Sequence, residues 1–264
     1  MLKTLIFTDL DGSLLDRDTF KFDEIKDYLK KLLSKGIFII PNTSKTEKEI
    51  LEFNNELGSN LPYISENGAA INGLDLLNSN LPKELILSRD KNNLINIFKK
   101  SVPENLQNKC KWLSEMDKKK QSLIFGLEDK KLKMALDRKY TIPFIFEGNK
   151  NEKNKLFKIV KNKGLALQEG GRVINLTDKV NKAKALQVFV RFFKKNNKEV
   201  KTIAVGDNYN DLDMLKSSDF PCLVFNDKFT LDEIPIKNLI ITNKPSPVGW
   251  ADVIKMALAK INKN

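Results

Sequence analysis

Histidine is absent from this 264-residue sequence, and its absence removes several kinds of catalysis at once. A Ser-His-Asp triad cannot be built, and neither can a histidine nucleophile, a histidine general base or a zinc site with histidine ligands. Asp, Glu, Lys and Thr remain, and the carboxylates among them suit a hard divalent cation. Any reaction of this chain is therefore expected to depend on carboxylates, amines and hydroxyls.

Cysteine and long apolar runs are also scarce. Cys110 and Cys222 are too few for a disulfide framework and predict a reducing, cytoplasmic compartment. No apolar stretch approaches the roughly 20 residues of a bilayer-spanning helix, and the first residues predict a strand and not a signal peptide. With 41% hydrophobic and 30% charged residues, the sequence predicts a globular protein without a membrane partner.

Arginine accounts for only five of the 46 basic residues; the other 41 are lysine, and the formal net charge is +12. Such a charge can serve nucleic-acid binding. The lysine-rich runs at 118–120, 130–133 and 194–198 are scattered, however, and no helix-turn-helix, RNP or zinc signature accompanies them. We interpret the excess as a solvated surface and expect no nucleic-acid partner. A non-catalytic, basic nucleic-acid-binding protein is the competing hypothesis.

Strand and helix patterns alternate along much of the chain, which is typical of an α/β protein: a Rossmann-like core with a parallel sheet and helices on both faces. Between residues 81 and 178 short strands and helices mix, and one strand is predicted near 122–126. We therefore expect a discontinuous core, residues 1–80 and 179–264, and an inserted α+β cap domain, residues 81–178. The buried core strands are predicted at 5–7, 37–40 and 202–205.

Asp9 and Asp11 follow the first predicted strand directly, and Gly12 comes next. Side chains two residues apart on an extended chain share a face, and ligands of open α/β sheets bind at the carboxyl ends of strands. Carboxylates this close raise one pKa or recruit a cation. One of them can attack as a nucleophile while the other transfers a proton. A solvated Asp-x-Asp turn or a surface calcium loop is the alternative interpretation.

Three further polar clusters occur at strand ends or at a helix start, and parallel strands would bring them to the same edge of the sheet. An acid from the last cluster can hold Mg²⁺ together with Asp9, and a hydroxyl and a lysine can bind a phosphate. Phosphoryl transfer requires mainly such positioning and charge neutralisation. The clusters are Thr43, Ser44 and Lys45 after the second strand, Lys182 at a helix start, and Asp207, Asn210 and Asp211 after a later strand.

In order and spacing these motifs resemble those of haloacid dehalogenase (HAD) superfamily phosphatases whose cap lies between the second and third motifs. The four motifs are Asp9-Leu10-Asp11-Gly12-Ser13, Thr43, Lys182 and Gly206-Asp207-Asn208-Tyr209-Asn210-Asp211. The resemblance implies that Asp9 forms an aspartyl-phosphate, that Asp11 is the acid and base, and that Thr43 and Lys182 bind the phosphate. It also implies a metal, Mg²⁺ with Mn²⁺ and Co²⁺ as alternatives, held by Asp9, the Asp11 backbone carbonyl, Asp207, Asn210 and Asp211.

Within that superfamily, several stretches are similar to the mannosyl-3-phosphoglycerate phosphatases. They are Asn42-Thr43-Ser44-Lys45-Thr46, Glu66-Asn67-Gly68-Ala69-Ala70, Gly170-Gly171-Arg172 and Pro247-Val248-Gly249-Trp250. The resemblance implies hydrolysis of mannosyl-3-phosphoglycerate to mannosylglycerate, a compatible solute. Lys45 and Arg172 are the candidates for binding the glycerate carboxylate. The full set of implied substrate-binding residues is Ser44, Lys45, Asn67, Gly170, Gly171 and Arg172.

Two positions depart from the pattern of that family. An acid expected before Pro143 is Ile142, and a histidine expected near position 175 is Asn175. Both lie in the predicted cap, where the resemblance places sugar recognition. Glucosyl-3-phosphoglycerate therefore stays open as the substrate, as does a broader sugar phosphatase or phosphomutase activity. The sequence leaves the choice between a monomer and a dimer open.

Overall fold

A computed structural model describes residues 2–170, 172–195, 197, 199–227 and 235–263. The chain divides into two compact units: the first comprises Met1–Ser44, Phe53–Leu85 and Asn181–Asn264, and the second Lys45–Glu52 and Ile86–Val180. Among the described residues, no helix is both long enough and apolar enough to cross a membrane.

Strands and helices alternate through the described residues. The strands are β1 (Lys3–Thr8), β2 (Phe38–Pro41), β3 (Tyr63–Ser65), β4 (Ala70–Asn72), β5 (Glu84–Ile86), β6 (Cys110–Trp112), β7 (Ile142–Phe146), β8 (Leu165–Glu169), β9 (Ile174–Asp178), β10 (Val200–Gly206), β11 (Phe220–Leu223) and β12 (Ile240–Ile241). The helices are α1 (Lys26–Ser34), α2 (Glu47–Leu57), α3 (Lys91–Ser101), α4 (Glu104–Gln107), α5 (Lys118–Phe125), α6 (Asp129–Leu136), α7 (Lys150–Asn162), α8 (Lys182–Lys194), α9 (Leu212–Lys216) and α10 (Val248–Ile261).

The first unit is built on a five-stranded sheet in the order β12-β11-β10-β1-β2, and every neighbouring pair is parallel. Strand β1 lies between β10 and β2, and its Phe7 is opposite Ala204 on one side and Ile40 on the other. The strand's apolar residues are fully buried, as a parallel strand covered on both faces requires. The predicted Rossmann-like α/β core with a parallel sheet is confirmed.

The C-terminal helix α10 is bonded to the end of β1 through Trp250, which is fully buried. The indole Nε1 donates a hydrogen bond to Thr8 Oγ1 (2.9 Å), and the Thr8 hydroxyl donates to the backbone carbonyl of Asp9 (2.6 Å). Gly249 lets the first turn of α10 pack against the preceding loop, since a Cβ there would lie 2.2 Å from the Lys244 carbonyl oxygen. The position of Asp9 therefore depends in part on a helix that begins 239 residues later in the chain.

The second unit contains a four-stranded antiparallel sheet in the order β6-β7-β9-β8. Its core holds buried residues of α3, α7 and all four strands. Trp112 is central to this core: its ring centroid lies 5.2 Å from that of Phe98 and 5.0 Å from that of Phe144. Large apolar residues thus give the inserted segment a core of its own.

The strand predicted near residues 122–126 is wrong, because these residues belong largely to helix α5. Asp117 caps the start of the helix by accepting a hydrogen bond from the Lys120 backbone N–H (2.9 Å). Gly126 ends it in the left-handed conformation, with φ +64°. A short apolar run does not distinguish a strand from a helix, and here the two capping residues decide the outcome.

The Trp250–Thr8 hydrogen bond predicts a measurable coupling between the two residues. We expect Trp250→Phe and Thr8→Val each to lower the free energy of unfolding, and the double variant to lose less than the sum, by about 0.5–1.5 kcal/mol. Urea unfolding of the four proteins measures the coupling. Trp112→Phe, in the second unit, is the matched control and should be additive with Thr8→Val. Full additivity of Trp250→Phe with Thr8→Val would contradict the prediction.

Candidate active site

The chain folds back tightly after β1 and keeps two acids at the edge of the sheet. The Asp9 backbone N–H donates to the Val205 carbonyl (2.9 Å), so Asp9 still continues the sheet, and its side chain is buried. Gly12 then adopts φ +77°, which permits the turn, and its N–H donates to the Leu15 carbonyl (3.0 Å). Asp11, within this loop, is half-buried.

A buried lysine lies between two of the carboxylates. Lys182 Nζ is 2.7 Å from Asp211 Oδ1 and 2.8 Å from Asp9 Oδ1, and it forms an ion pair with each. Burial opposes the charged form of Lys182, but the attraction of Asp211 and Asp9 outweighs it and raises the pKa of the ammonium. The lysine therefore stays charged and offsets part of the buried negative charge.

Asp207 follows β10, the strand beside β1, and both of its carboxylate oxygens accept hydrogen bonds. Oδ1 accepts from Ser13 Oγ (3.0 Å), and Oδ2 accepts from Asn226 Nδ2 (3.1 Å) and forms an ion pair with Arg17. Burial raises the pKa of Asp207, and the neighbouring Asp211 and Asp9 carboxylates raise it further against the opposing effect of Arg17. These carboxylates thus hold more negative charge than the nearby cations fully offset.

Asp211 is completely buried and held from two sides. Its Oδ1 faces Lys182, and its Oδ2 accepts the backbone N–H groups of Asp207 and Asn208, both at 3.2 Å. Burial raises the pKa of Asp211, Lys182 lowers it and Asp9 raises it, with a net rise. Asn210, predicted as a metal residue beside it, is exposed.

The acidic cluster fits a hard divalent cation. One ligand oxygen from each of Asp9, Asp207 and Asp211 lies within 4.8 Å of the others, and all three residues are buried. Asp9 Oδ1 has the Lys182 ammonium at 2.8 Å, and as a buried carboxylate oxygen it can also coordinate a cation. Mg²⁺ prefers such oxygen donors, and its charge would relieve the repulsion among the three acids. The cluster therefore has the composition of a site for a hard divalent cation.

A left-handed turn packs beside the second and third motifs. Glu66, Asn67 and Gly68, between β3 and β4, all have positive φ values. The Asn67 N–H donates to the Thr43 carbonyl (2.8 Å), and a Cβ on Gly68 would lie 2.3 Å from the Asn181 carbonyl oxygen. Thr43 and Asn67 are buried and Ser44 is half-buried. The turn thus contacts both the chain that carries Thr43 and the residue preceding Lys182.

The other predicted substrate-binding residues belong to the second unit. Lys45 Nζ lies 3.4 Å from Glu49 Oε1. Burial alone would raise the pKa of Glu49, but Lys45 and Arg138 outweigh it and lower that pKa. Arg172 is exposed, Gly170 donates its N–H to the Val173 carbonyl (2.9 Å), and Gly171 lies outside the described residues.

Sequence reasoning missed several groups that contact the acids and the lysine. The motifs mark Ser13 only as a neighbour of the two acids, and they mark neither Arg17 nor Asn226. Asn42 Nδ2 donates to the Lys182 backbone carbonyl (3.0 Å) and so supports the start of α8. Only Ser13 and Asn42 lie in motif stretches; Arg17 and Asn226 have no periodicity or spacing that would have marked them.

Comparison with known proteins identifies a family. A family model described as haloacid dehalogenase-like hydrolase matches residues 6–236. A protein of Persephonella marina named glucosyl-3-phosphoglycerate/mannosyl-3-phosphoglycerate phosphatase is 30% identical over 98% of each chain. A protein of the same name from Methanococcoides burtonii is 32% identical over 99% of each chain.

Solved structures support the same fold. A Thermoplasma acidophilum protein superposes with a TM-score of 0.69 over 97% of this chain and 98% of its own, at 14% sequence identity. A haloacid dehalogenase-like hydrolase from Bacteroides thetaiotaomicron gives a TM-score of 0.66 over 98% of this chain and 99% of its own, at 17% identity. At these sequence identities, the similarity supports the fold alone.

The raised pKa values of Asp207 and Asp211 predict how the stability of the metal-free protein depends on pH. Acids whose folded pKa is raised stabilise the fold at pH values below their unfolded pKa of 3.8, and that contribution is lost as the pH rises toward about 7. In EDTA we expect the melting temperature to fall between about pH 5 and about pH 8. Added Mg²⁺ should stabilise the protein most at the upper end, where protons compete least.

Thermal unfolding of the metal-free and Mg²⁺-loaded protein across this range measures both effects. Asp207→Asn removes one of the titrating groups and should flatten the slope in EDTA. A slope that is unchanged in this variant would assign the pH dependence to other groups and contradict the prediction.

Proposed function

The chain belongs to the haloacid dehalogenase-like hydrolases, and we propose that it is a metal-dependent phosphatase of glycosyl-3-phosphoglycerates, acting through an aspartyl-phosphate. The observation that carries the proposal is the buried Lys182 ammonium between Asp9 and Asp211, with Asp207 in the same cluster. In this arrangement Asp9 is a nucleophile paired with an ammonium, Lys182 is a cation for phosphate oxygens, and the carboxylates can bind a metal. Relatives named as glycosyl-3-phosphoglycerate phosphatases support the substrate class.

The first step is attack by an Asp9 carboxylate oxygen on phosphorus. An Asp9 O–P bond forms, the ester P–O bond breaks, and Asp11 gives its proton to the departing glycerate oxygen. Lys182, 2.8 Å from Asp9 Oδ1, offsets charge beside the nucleophile and attracts the phosphate oxygens, and the Thr43 hydroxyl donates to them. The leaving group is therefore a neutral hydroxyl and not an alkoxide.

The second step hydrolyses the aspartyl-phosphate. Asp11, now a carboxylate, takes a proton from water as the water oxygen bonds to phosphorus, and the Asp9 O–P bond breaks to release phosphate. A Mg²⁺ held by Asp9, the Asp11 backbone carbonyl and Asp207 would supply positive charge to the phosphate throughout. Asp211 holds Lys182 and the backbone of Asp207, and it would complete the coordination of the metal, directly or through water. Asn210, an exposed residue of the same motif, is proposed to orient Asp211 toward the metal.

The substrate carries a carboxylate as well as a phosphate, and the proposed cations for it are Arg172 and Lys45. Arg172 is exposed, and its guanidinium lies close to Gly126, where a Cβ would be 2.7 Å from Nη1. Lys45 is partly neutralised by Glu49. We therefore assign the larger share of carboxylate binding to Arg172. The sequence resemblance favours mannosyl-3-phosphoglycerate as the substrate, and the relatives' names include the glucosyl compound as well.

Phosphate release tests the proposal directly. With Mg²⁺ we expect turnover of mannosyl- or glucosyl-3-phosphoglycerate, loss of turnover in EDTA, and a fall of about a thousandfold or more for Asp9→Asn, which cannot form the acyl phosphate. Asp213→Asn changes an exposed acid two residues from Asp211 and is the matched control.

Three results separate the alternatives. Turnover confined to simple hexose phosphates would keep the nucleophile and discard the substrate. Transfer of phosphate to a second sugar would indicate a phosphomutase. No turnover of any phosphate ester would contradict the proposal and favour the basic, non-catalytic alternative, which predicts DNA binding that weakens steeply with salt.

Arg172→Ala should weaken binding of the carboxylate-bearing substrate. We expect KM to rise roughly 10–100-fold, since a hydrogen-bonded charge contributes about 1.5–3 kcal/mol, while kcat changes little. Lys45→Met should raise KM less. Turnover of a hexose phosphate without a carboxylate is the internal control and should be unaffected by Arg172→Ala. An equal loss on both substrates would show that Arg172 does not bind the carboxylate.

A further inference from the structure

A short structured loop presents an arginine to the acidic cluster. Asp16 Oδ1 accepts hydrogen bonds from the backbone of Asp18 (3.2 Å) and Thr19 (2.8 Å) and from the Thr19 hydroxyl (2.7 Å). The Asp16 N–H also donates to the Lys21 carbonyl (2.9 Å), which closes the loop at its base. The backbone on either side of Arg17 is therefore fixed, and the long side chain alone spans the distance to Asp207.

Gly12 leaves the space in which this ion pair forms. A Cβ at residue 12 would lie 2.9 Å from both Arg17 Nη2 and Asp207 Oδ2. The turn at Gly12 requires a positive φ, and the same lack of a side chain lets the guanidinium reach the carboxylate. The contact is thus accommodated by the loop that carries Asp11.

Arg17 and Lys182 are cations of different kinds. The Lys182 side chain is 2% exposed, lies in the first turn of α8 and contacts two carboxylates. The Arg17 side chain is 35% exposed and has Asp207 as its ion-pair partner. Lys182 is enclosed, whereas Arg17 can exchange its contact with Asp207 for contact with water.

The two positive groups that Asp207 can bind require the same carboxylate. When all three are ionised, Asp9, Asp207 and Asp211 carry three negative charges, against which Lys182 and Arg17 supply two positive ones. A divalent cation on either oxygen of Asp207 would lie within a few ångströms of the guanidinium on Oδ2, and like charges that close repel each other in a buried setting. The ion pair and the metal would therefore compete for Asp207.

We propose that Arg17 is a displaceable counter-ion of the metal site: its guanidinium neutralises Asp207 in the metal-free protein and must leave when the divalent cation binds. The inference rests on the proposed metal site, and it identifies Arg17 as a residue that sets the affinity of this site for the metal. Arg17 stabilises the metal-free protein and weakens metal binding, because part of the binding free energy is spent on breaking the ion pair.

Calorimetric titration of the metal-stripped protein with Mn²⁺ tests this inference without any enzyme assay. We expect Arg17→Gln to bind Mn²⁺ about tenfold more tightly than the unaltered protein, within the ~5–150-fold range of typical coupled sites. Its melting temperature in EDTA should be lower, because Asp207 loses its counter-ion. Arg191→Gln, an exposed change on α8 with the same loss of charge, is the control and should change neither quantity.

Arg17→Lys provides a second variant that keeps the positive charge and should leave Mn²⁺ affinity near that of the unaltered protein. Unchanged or weaker Mn²⁺ binding in Arg17→Gln would overturn the inference and make Arg17 a support that orients Asp207 for the metal. If the unaltered protein binds no Mn²⁺, the proposed metal site is wrong and the inference falls with it. The two failures are therefore distinct.

Discussion

The ion pairs of Lys182 are the interaction on which the rest of the site depends. Three buried carboxylates within a few ångströms repel one another, and leaving even one charge unpaired in such a place costs several kcal/mol. The Lys182 ammonium, at 2.7 and 2.8 Å from two of them, reduces this repulsion but leaves the cluster with net negative charge. The excess negative charge that remains is what can attract a metal.

Several backbone contacts fix that lysine and its partners. Asn42, at the end of β2, binds the Lys182 carbonyl, and the close packing of Gly68 on Asn181 brings the Glu66–Gly68 turn against the start of the same helix. Asp211 is held by the N–H groups of the residues that follow β10. The site is thus assembled from the ends of adjacent parallel strands, whose common direction brings distant parts of the chain to one edge. A sheet with mixed strand directions would not collect these residues.

Much of this architecture could be predicted from the sequence because it follows from periodicity. Buried apolar runs specify strands such as β1 and β10, and acids directly after such strands must lie at the carboxyl edge of a parallel sheet. The closeness of Asp9 and Asp207 follows from that rule. Helix α5 could not be predicted in this way, since its apolar residues fit the period of a strand as well as that of a helix. Asp117 and Gly126 determine where this helix begins and ends. Nor could the contacts of Arg17 and Asn226 be predicted, because a loop side chain that reaches across the fold leaves no pattern in the sequence.

Arg17 and Lys182 reduce the repulsion among the buried acids in different ways, because one can be displaced and the other is permanent. A site made of acids alone would be destabilised whenever the metal leaves, and a site neutralised by enclosed lysines would bind no metal. Lys182 is enclosed by two carboxylates and offsets charge beside Asp9. Arg17, on a fixed loop but with its side chain partly in water, can neutralise the remaining acid and still withdraw. The two cations therefore differ in role because they differ in exposure and not in charge. The buried Lys182 holds the nucleophile, and the accessible Arg17 regulates how readily the cluster binds a metal.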